Sequence, residues 1–201
     1  MSGTFPNADL RRADRSSQPR YAFRLASTEE EIAQLQQLLY RTFVLEVPRY
    51  ADPGSDRLVD KFHDQNLYFI ALRNDRVCGM LATHDQPPYS FADAVDDPAI
   101  VDQLSLPLWE ARILAVEPSE RYGFVFAGLA CLAFTHALQE GCKHIAITGL
   151  ATRQRMYERM GFAAIGPPVL RGKEHFVPMA IELSRIPAHV CRDLERWQKR
   201  H

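Results

Sequence analysis

Residues 108–140 constrain the fold of this chain most. They contain an apolar run of strand length, then a turn, and then a long apolar run of helical length. Pro118 ends the first run, and Gly141 supplies a helix C-cap after the second. A helix that starts directly after a strand presents unpaired backbone N–H groups and the positive end of its dipole at the sheet edge. The segment therefore predicts an open α/β sheet with an anion-binding turn, although a strand–turn–helix without a ligand explains it equally well.

The segments on either side supply the other strands and helices. Apolar runs predict strands at residues 21–25, 67–72, 76–83, 143–148, 162–165 and 174–183. Helical spacing predicts helices at residues 32 to about 44, 96–103, 122–140, 153–160 and 188–199. Ser27 and Thr28 open the first helix in two overlapping capping boxes, with Glu30 and Glu31 respectively. Strands that precede helices and then alternate with them predict a mixed α/β sheet covered by helices on both faces.

The chain is long enough for one domain with a core of its own, at 201 residues. Residues 1–20 are rich in Arg, Ser, Asp and Pro and are predicted to form a flexible tail. Residues 21–186 form the predicted domain. Residues 187–201 are predicted to be a C-terminal helix or a linker toward a further domain.

Charge and cysteine content exclude several kinds of function. The formal net charge of −1 gives no overall field that would attract nucleic acid or an anionic membrane. No run has the length and apolarity of a membrane span or a signal peptide, so we expect a cytoplasmic protein without an integral membrane segment. The four cysteines form no C-x-x-C pair and no zinc-finger spacing with histidine, so we expect no metal.

Two short segments resemble those of the GNAT (GCN5-related N-acetyltransferase) family. Residues 115–123, Ala-Val-Glu-Pro-Ser-Glu-Arg-Tyr-Gly, are similar to the GNAT donor-binding segment, in which a strand ending in Val-x-Pro precedes an Arg and a Gly-rich turn. Residues 157–162 resemble the Tyr-x-x-x-Gly-Phe that closes a short helix before the sixth strand. The resemblance implies an α/β GNAT fold: a mixed, mostly antiparallel central sheet with a parallel splayed pair and helices on both faces. It also implies transfer of an acyl group from a thioester to an amine.

The turn departs from the usual GNAT pattern at two positions. Phe124 and Phe126 stand where Gly or Ala normally lets the backbone approach a pyrophosphate. A tight cradle for the pyrophosphate of coenzyme A is therefore not expected. We expect the two rings instead to shape a tunnel for a longer acyl chain.

A narrower resemblance, to the autoinducer synthases and the long-chain N-acyl amino acid synthases, accounts for this departure. Residues 109–116 look like a strand of that group that carries Trp, Glu, Arg and Val, and residues 39–43 and 162–168 resemble two of its other segments. These enzymes commonly take acyl groups from acyl carrier protein, whose pantetheine carries one phosphodiester and no adenosine pyrophosphate. The resemblance spans roughly residues 22–184. Asp56, Asp60 and Asp64 match the acidic loop of the autoinducer synthases only loosely. This argues against an S-adenosylmethionine acceptor.

The resemblance also assigns roles to individual residues. Glu110 is the candidate base for the amine proton, and Tyr157 is the candidate acid for the leaving thiolate. The alternatives are a carboxylate paired with Arg112 and a tyrosine packed in the core. Donor-binding residues are expected along the turn, at Ala115, Val116, Arg121, Tyr122, Gly123 and Phe124. Substrate-binding residues are expected on the strand and the first helix, at Trp109, Arg112 and Phe43.

The predicted function is acyl transfer from an acyl-carrier-protein or coenzyme A thioester to the amine of a small acceptor such as an amino acid. The alternatives are an acetyl-coenzyme A-dependent N-acetyltransferase and a non-catalytic module that binds an acyl ligand or a partner protein. Residues 171–173 with Arg153, Arg155 and Arg159 could form a basic patch for an acidic carrier protein. Ordinary solvated surface explains these residues equally well.

Overall fold

A computed structural model describes residues 20–121 and 124–200 of the chain, so nearly all of the predicted N-terminal tail lies outside the described residues. The strands are β1 (Tyr21–Leu25), β2 (Leu67–Arg73), β3 (Arg76–His84), β4 (Leu108–Val116), β5 (His144–Leu150), β6 (Ala163–Ala164), β7 (Val169–Arg171) and β8 (Glu174–Glu182). Within the described residues they form one eight-stranded sheet in the order β1-β2-β3-β4-β5-β8-β6, with β7 also paired to β8.

Helices cover this sheet. They are α1 (Glu29–Tyr40), α2 (Pro98–Asp102), α3 (Val125–Gln139), α4 (Gln154–Met160) and α5 (Ala188–Gln198). A π-helix, Arg41–Glu46, continues α1. The predicted capping box of Thr28 and Glu31 is present: the Thr28 hydroxyl accepts from the Glu31 N–H, and the Glu31 carboxylate accepts from the Thr28 N–H.

Helices α1 and α3 cover opposite faces of the sheet because side chains alternate along its strands. Phe69 on β2 belongs to the core that contains Leu129 of α3. Its neighbour Ile70 belongs to the core that contains Leu35 of α1. Helix α5 adds Leu194 to the α3 core. The predicted arrangement with helices on both faces is therefore confirmed.

One strand pair is parallel, and it comes apart along its length. Strands β4 and β5 pair at only three positions, Leu108–His144, Trp109–Ile145 and Glu110–Ala146. The other strand pairs of the described sheet are antiparallel. Beyond Glu110 the two parallel strands diverge, which opens a gap in the middle of the sheet.

A bulge in β4 lies at this gap. Ile113 has a φ of +52°, a left-handed conformation that a β-branched residue rarely adopts. The β3–β4 register shifts between Met80 and Ala82, opposite the same stretch of β4. The strained residue therefore sits where the sheet opens, which is typical of functional sites.

The structure differs from the sequence-based predictions before α3 and before β8, and the predicted bounds of α2 and β6 were too wide. Helix α3 begins at Val125, three residues after the predicted start, and a 3-10 turn, Pro118–Glu120, lies between it and β4. Strand β7 was not predicted, since it is only three residues long and lies in a Pro- and Gly-rich segment. Among the described residues, no helix is long and apolar enough to cross a membrane.

Candidate active site

Two cavities meet in the gap between β4 and β5. The larger has a volume of about 810 Å3 and is called polar here because eight charged residues are among those that line it. The smaller has a volume of about 130 Å3 and an apolar wall. Residues of the diverging strands line both cavities, namely Ala111, Arg112, Ile113 and Thr148. A molecule in one cavity can therefore meet a molecule in the other through the opened sheet.

The larger, polar cavity carries more cations than anions. Its basic residues are Arg49, Lys61, Arg112, Arg171 and Lys173. Its acidic residues are Asp93, Glu110 and Glu174. Arg49 forms an ion pair with Glu174, at 2.5 Å from Nη2 to Oε2, and its guanidinium lies 4.5 Å from the centre of the Phe176 ring. The cavity suits a small acceptor with an anionic group.

The smaller, apolar cavity lies between the sheet and α3. Four α3 side chains line it, Phe126, Ala130, Ala133 and Phe134. Strand and α4 residues close it with apolar or aromatic surface, which suits an alkyl chain. The predicted tunnel role fits Phe126 but not Phe124. The Phe124 side chain is 48% exposed and packs outside the cavity against Tyr21 and Phe23.

Glu110 lies at the last paired position before the strands diverge and lines the polar cavity. Its carboxylate is nonetheless almost completely buried and surrounded by donors. Oε1 accepts from the Phe91 N–H at 2.9 Å, and Oε2 accepts from the Ser90 N–H at 2.7 Å and from the Ser90 hydroxyl at 3.3 Å. The imidazole of His84 lies 2.9 Å from Oε2. Because the carboxylate is almost completely buried, we expect an amine to reach Glu110 through Ser90 or a water.

Arg112 shares the polar cavity with Glu110, as their spacing in the strand predicted. The alternative prediction of a Glu110–Arg112 ion pair is wrong, because the Arg112 guanidinium donates to Asp60 instead. Asp60 Oδ2 also accepts from the Phe62 N–H, and the Arg112 guanidinium lies 4.6 Å from the Phe62 ring centre. Arg112 is thereby fixed in place at the junction of the two cavities.

Tyr157 lies on α4 and lines the apolar cavity, with its ring packed closely against Gly149 of β5. A Cβ at Gly149 would lie 2.6 Å from the Tyr157 ring, so the glycine makes room for it. Burial raises the pKa of the Tyr157 phenol above its ordinary value. The phenol is therefore protonated at neutral pH, as a general acid must be.

The predicted donor turn is engaged in contacts within the protein. The Arg121 Nε donates to the Val116 carbonyl at 2.9 Å, and its guanidinium forms an ion pair with Glu46. Ala115 is buried in the core under α1. Tyr122 and Gly123, which were predicted to complete this turn, lie outside the described residues.

The predicted substrate-binding residues fall on two different sides. Phe43 lines the larger, polar cavity. Trp109 lines the smaller, apolar cavity, because odd-numbered positions of β4 before the bulge face α3. The two residues therefore cannot contact the same part of a substrate.

Several polar residues of the site were not assigned a role from the sequence. His84 and Ser90 contact Glu110, Asp60 holds Arg112, and Thr148 lines both cavities. The sequence does not give the register between β3 and β4. Only that register shows that His84 is the antiparallel partner of Glu110. Within the described part of the chain, no group of three His, Cys, Asp or Glu residues could hold a metal ion.

The predicted basic patch divides in the structure. Arg171 and Lys173 line the polar cavity. The three arginines of the α4 region line neither cavity. They are exposed on the protein surface, at Arg153, Arg155 and Arg159.

Comparison with known proteins agrees with this architecture. Residues 34–182 match the family model of the N-acyl amino acid synthase FeeM. The structure of FeeM from uncultured soil microbes superposes with a TM-score of 0.69 at 16% identity, over 85% of this chain and 94% of FeeM. BjaI, a coenzyme A-dependent acyl-homoserine lactone synthase, gives 0.71 at 19% identity, over 90% and 89% of the two chains.

A protein of Lactobacillus plantarum assigned to the N-acetyltransferases gives a TM-score of 0.62 at 21% identity, over 81% of this chain and 98% of that protein. The predicted GNAT fold, with its splayed parallel pair, is thus confirmed. The sequence matches no protein of curated function.

Proposed function

The chain belongs to the family of the N-acyl amino acid synthase FeeM and is an N-acyltransferase, and we propose that it joins an acyl group longer than acetyl from a thioester to the amine of an amino acid. The donor is acyl carrier protein or coenzyme A, both of which present the acyl group on pantetheine. The acceptor is a small amine with a carboxylate.

One observation carries the proposal: the apolar and polar cavities meet at Arg112 and Thr148, where β4 and β5 diverge. An acyl chain in the apolar cavity would place its thioester carbonyl in the gap. An amino acid in the cation-rich polar cavity would approach that carbonyl from the opposite face of the sheet. Holding both reactants at one point accounts for much of the rate of such a reaction.

The reaction is direct attack without a covalent enzyme intermediate. The amine nitrogen attacks the thioester carbonyl, the C–N bond forms, and the C–S bond breaks. Glu110 receives the proton that the amine loses, through the Ser90 hydroxyl or a water, since both carboxylate oxygens are already in contact with donors. The Tyr157 phenol protonates the leaving thiolate.

Two similar structures support parts of this proposal. BjaI is dependent on coenzyme A, which supports a coenzyme A thioester as donor, and FeeM is an N-acyl amino acid synthase, which supports an amino acid as acceptor. The apolar wall of the smaller cavity favours a chain longer than acetyl.

The test is mass spectrometric detection of thiol release and of acylated product. The purified chain is given acetyl, octanoyl and hexadecanoyl groups on acyl carrier protein and on coenzyme A, with pooled amino acids as acceptors. We expect N-acyl amino acids whose acyl chain is longer than acetyl, with product lost in Glu110→Gln. Product from acetyl-coenzyme A alone would instead establish an N-acetyltransferase and overturn the proposal.

A second experiment identifies the acceptor. Each amino acid is offered singly, and its methyl ester is offered beside it. We expect the ester to be a poorer acceptor, because it lacks the carboxylate that the cationic cavity would bind. Equal use of acid and ester would contradict the proposed acceptor class.

A further inference from the structure

His84 and Glu110 form a completely buried pair beside the acceptor cavity. They are antiparallel partners on β3 and β4, and their side chains are 0% and 2% exposed. The Nε2 atom of His84 lies 2.9 Å from Oε2 of Glu110. Charged groups in such a position must be paired, because burial of an isolated charge is costly.

The second ring nitrogen fixes the tautomer of His84. Nδ1 lies 2.8 Å from the carbonyl oxygen of Gln86. A carbonyl oxygen only accepts hydrogen bonds, so Nδ1 must carry a proton. In a neutral imidazole Nε2 would then have none.

The contact with Glu110 therefore requires one more proton. An ionised carboxylate only accepts, so a hydrogen bond between Nε2 and Oε2 needs a proton on one of these two atoms. Without it, two lone pairs would face each other at 2.9 Å between two almost fully buried side chains. The N–H groups of Ser90 and Phe91 both point at the carboxylate and favour its ionised form, which places the proton on His84.

Aromatic rings shield the pair from water. The ring of Tyr89 stacks on the His84 imidazole with centroids 5.6 Å apart, and the Phe62 ring lies 4.7 Å away. Charged side chains next to these two rings are Asp85, beside Tyr89, and Lys61 and Arg112, which contact the Phe62 ring. The imidazole thus has Glu110 as its direct ionic partner.

We propose that His84 is a positioning residue for Glu110, and that the two side chains together hold the single proton that the acceptor amine gives up. In the protein without substrate, the pair already holds one proton on Nε2 of His84. The pair gives this proton to water when the acceptor binds, so that before transfer His84 carries a proton on Nδ1 only and Glu110 is a carboxylate. After attack, the N–H bond of the adduct breaks and its proton passes through the Ser90 hydroxyl to Glu110, where His84 Nε2 takes it. The Nε2–Oε2 hydrogen bond of the structure is the state that this transfer restores.

The protons released and taken up in the reaction then balance. Tyr157 gives a proton to the thiolate, and the proton held by the pair leaves to water, from which Tyr157 regains one. The role in turnover rests on the proposed function, but the proton shared by His84 and Glu110 does not.

The test uses nitrogen NMR of the protein with labelled histidine at pH 6. The chain has seven histidines, and loss of a signal in His84→Gln assigns this one. We expect both His84 nitrogens to be protonated in the wild type. Glu110→Gln removes the negative charge beside His84, and a buried imidazolium without an anion is costly, so we expect Nε2 to lose its proton. A wild-type His84 with a bare Nε2, or a doubly protonated His84 in Glu110→Gln, would overturn the proposal.

Kinetics supply the second readout. We expect His84→Gln to lower kcat by about 100-fold, a loss typical of a damaged general base, with the acceptor KM unchanged. His63→Gln is the matched control, because His63 contacts Tyr68 and not Glu110. An unchanged kcat in His84→Gln would contradict the proposal. If the wild type acylates nothing, the proposed function fails, whereas the NMR result still decides the state of the pair.

Discussion

Arg121 binds Glu46 with two hydrogen bonds, one of them 2.5 Å from Nη2 to Oε2, and so ties the turn after β4 to the π-helix. The hydrogen bond from Arg121 also lowers the pKa of Glu46 below its ordinary value, which keeps the pair ionised at neutral pH. The residue that was predicted to meet the donor phosphate is therefore held by a carboxylate. A phosphate on the donor would have to compete with Glu46 for the same guanidinium.

Removal of that carboxylate should improve donor binding. In Glu46→Gln the guanidinium keeps its bond to Val116 but loses its anion, so we expect the KM for the thioester donor to fall several-fold. Arg121→Ala should raise the same KM. Steady-state kinetics with acyl carrier protein and coenzyme A donors measure both effects.

Glu182→Gln is the control for this experiment, since Glu182 forms a comparable exposed pair with Arg185. It should leave the donor KM unchanged. Because both pairs are partly exposed, neither substitution should alter the free energy of unfolding appreciably. A donor KM that is the same in Glu46→Gln and wild type would show that Arg121 does not meet the phosphate.

Tyr157→Phe should lower kcat by about 10- to 100-fold and leave both KM values nearly unchanged. The substitution removes only the hydroxyl and keeps the ring packed against Gly149 and Phe162. Burial raises the pKa of this phenol, so the wild type supplies a proton over the whole neutral range. Stopped assays of thiol release measure kcat, and thermal melting checks the fold. If Tyr157→Phe has the same kcat as the wild type, Tyr157 only packs in the core and does not act as the acid.

The sequence predicted the fold better than the site. Apolar periodicity and helix caps are local signals, so they located β4, α3 and the first helix to within a few residues. The site depends on contacts between distant segments. His84 lies 26 residues from Glu110 and Asp60 lies 52 residues from Arg112, and neither partner has a local signature. Arg121 shows the same limit, because nothing near it in the chain reveals that Glu46 is its partner, 75 residues away.

Ala133→Leu should shift the enzyme toward shorter acyl donors. Ala133 is buried on α3 and lines the apolar cavity, so a larger side chain fills space that the acyl chain would use. We expect turnover of hexadecanoyl donors to fall at least 10-fold relative to octanoyl donors. Ala127→Leu places the same side chain on the exposed face of α3 and should leave the preference unchanged. An equal loss for both donors would point to misfolding and not to chain length.

Asp60→Ala should destabilise the fold by about 3–5 kcal/mol, because it leaves the nearly buried Arg112 guanidinium without its anion. Urea denaturation followed by circular dichroism gives the free energy of unfolding. Asp193→Ala, which removes an exposed ion pair with Arg196, should cost less than about 0.5 kcal/mol. Combining Asp60→Ala with Arg112→Met should recover part of the loss. No recovery would mean that Asp60 stabilises the fold mainly through its bonds to Phe62 and Asn66.

The start of α1 should make stability depend on pH in acid. Glu31 accepts hydrogen bonds from Arg24 and from the N–H groups of Ser27 and Thr28, and these hold its pKa at about 2, below the ordinary value of 4.5. A depressed pKa in the folded state contributes stability that is complete above pH 4.5. That contribution is lost as the pH falls from 4.5 toward 2.

Glu31→Gln removes the titrating group and so isolates this effect. Urea denaturation at pH 6 and at pH 3 gives the difference in unfolding free energy between wild type and Glu31→Gln. This difference should be larger at pH 6 than at pH 3, because the unfolded wild type takes up a proton at a higher pH than the folded protein does. Glu30→Gln is the matched control, since Glu30 is exposed one position away. A gap of equal size at both values would mean that the carboxylate stabilises α1 by hydrogen bonds that survive its protonation, and that charge plays no part in the cap.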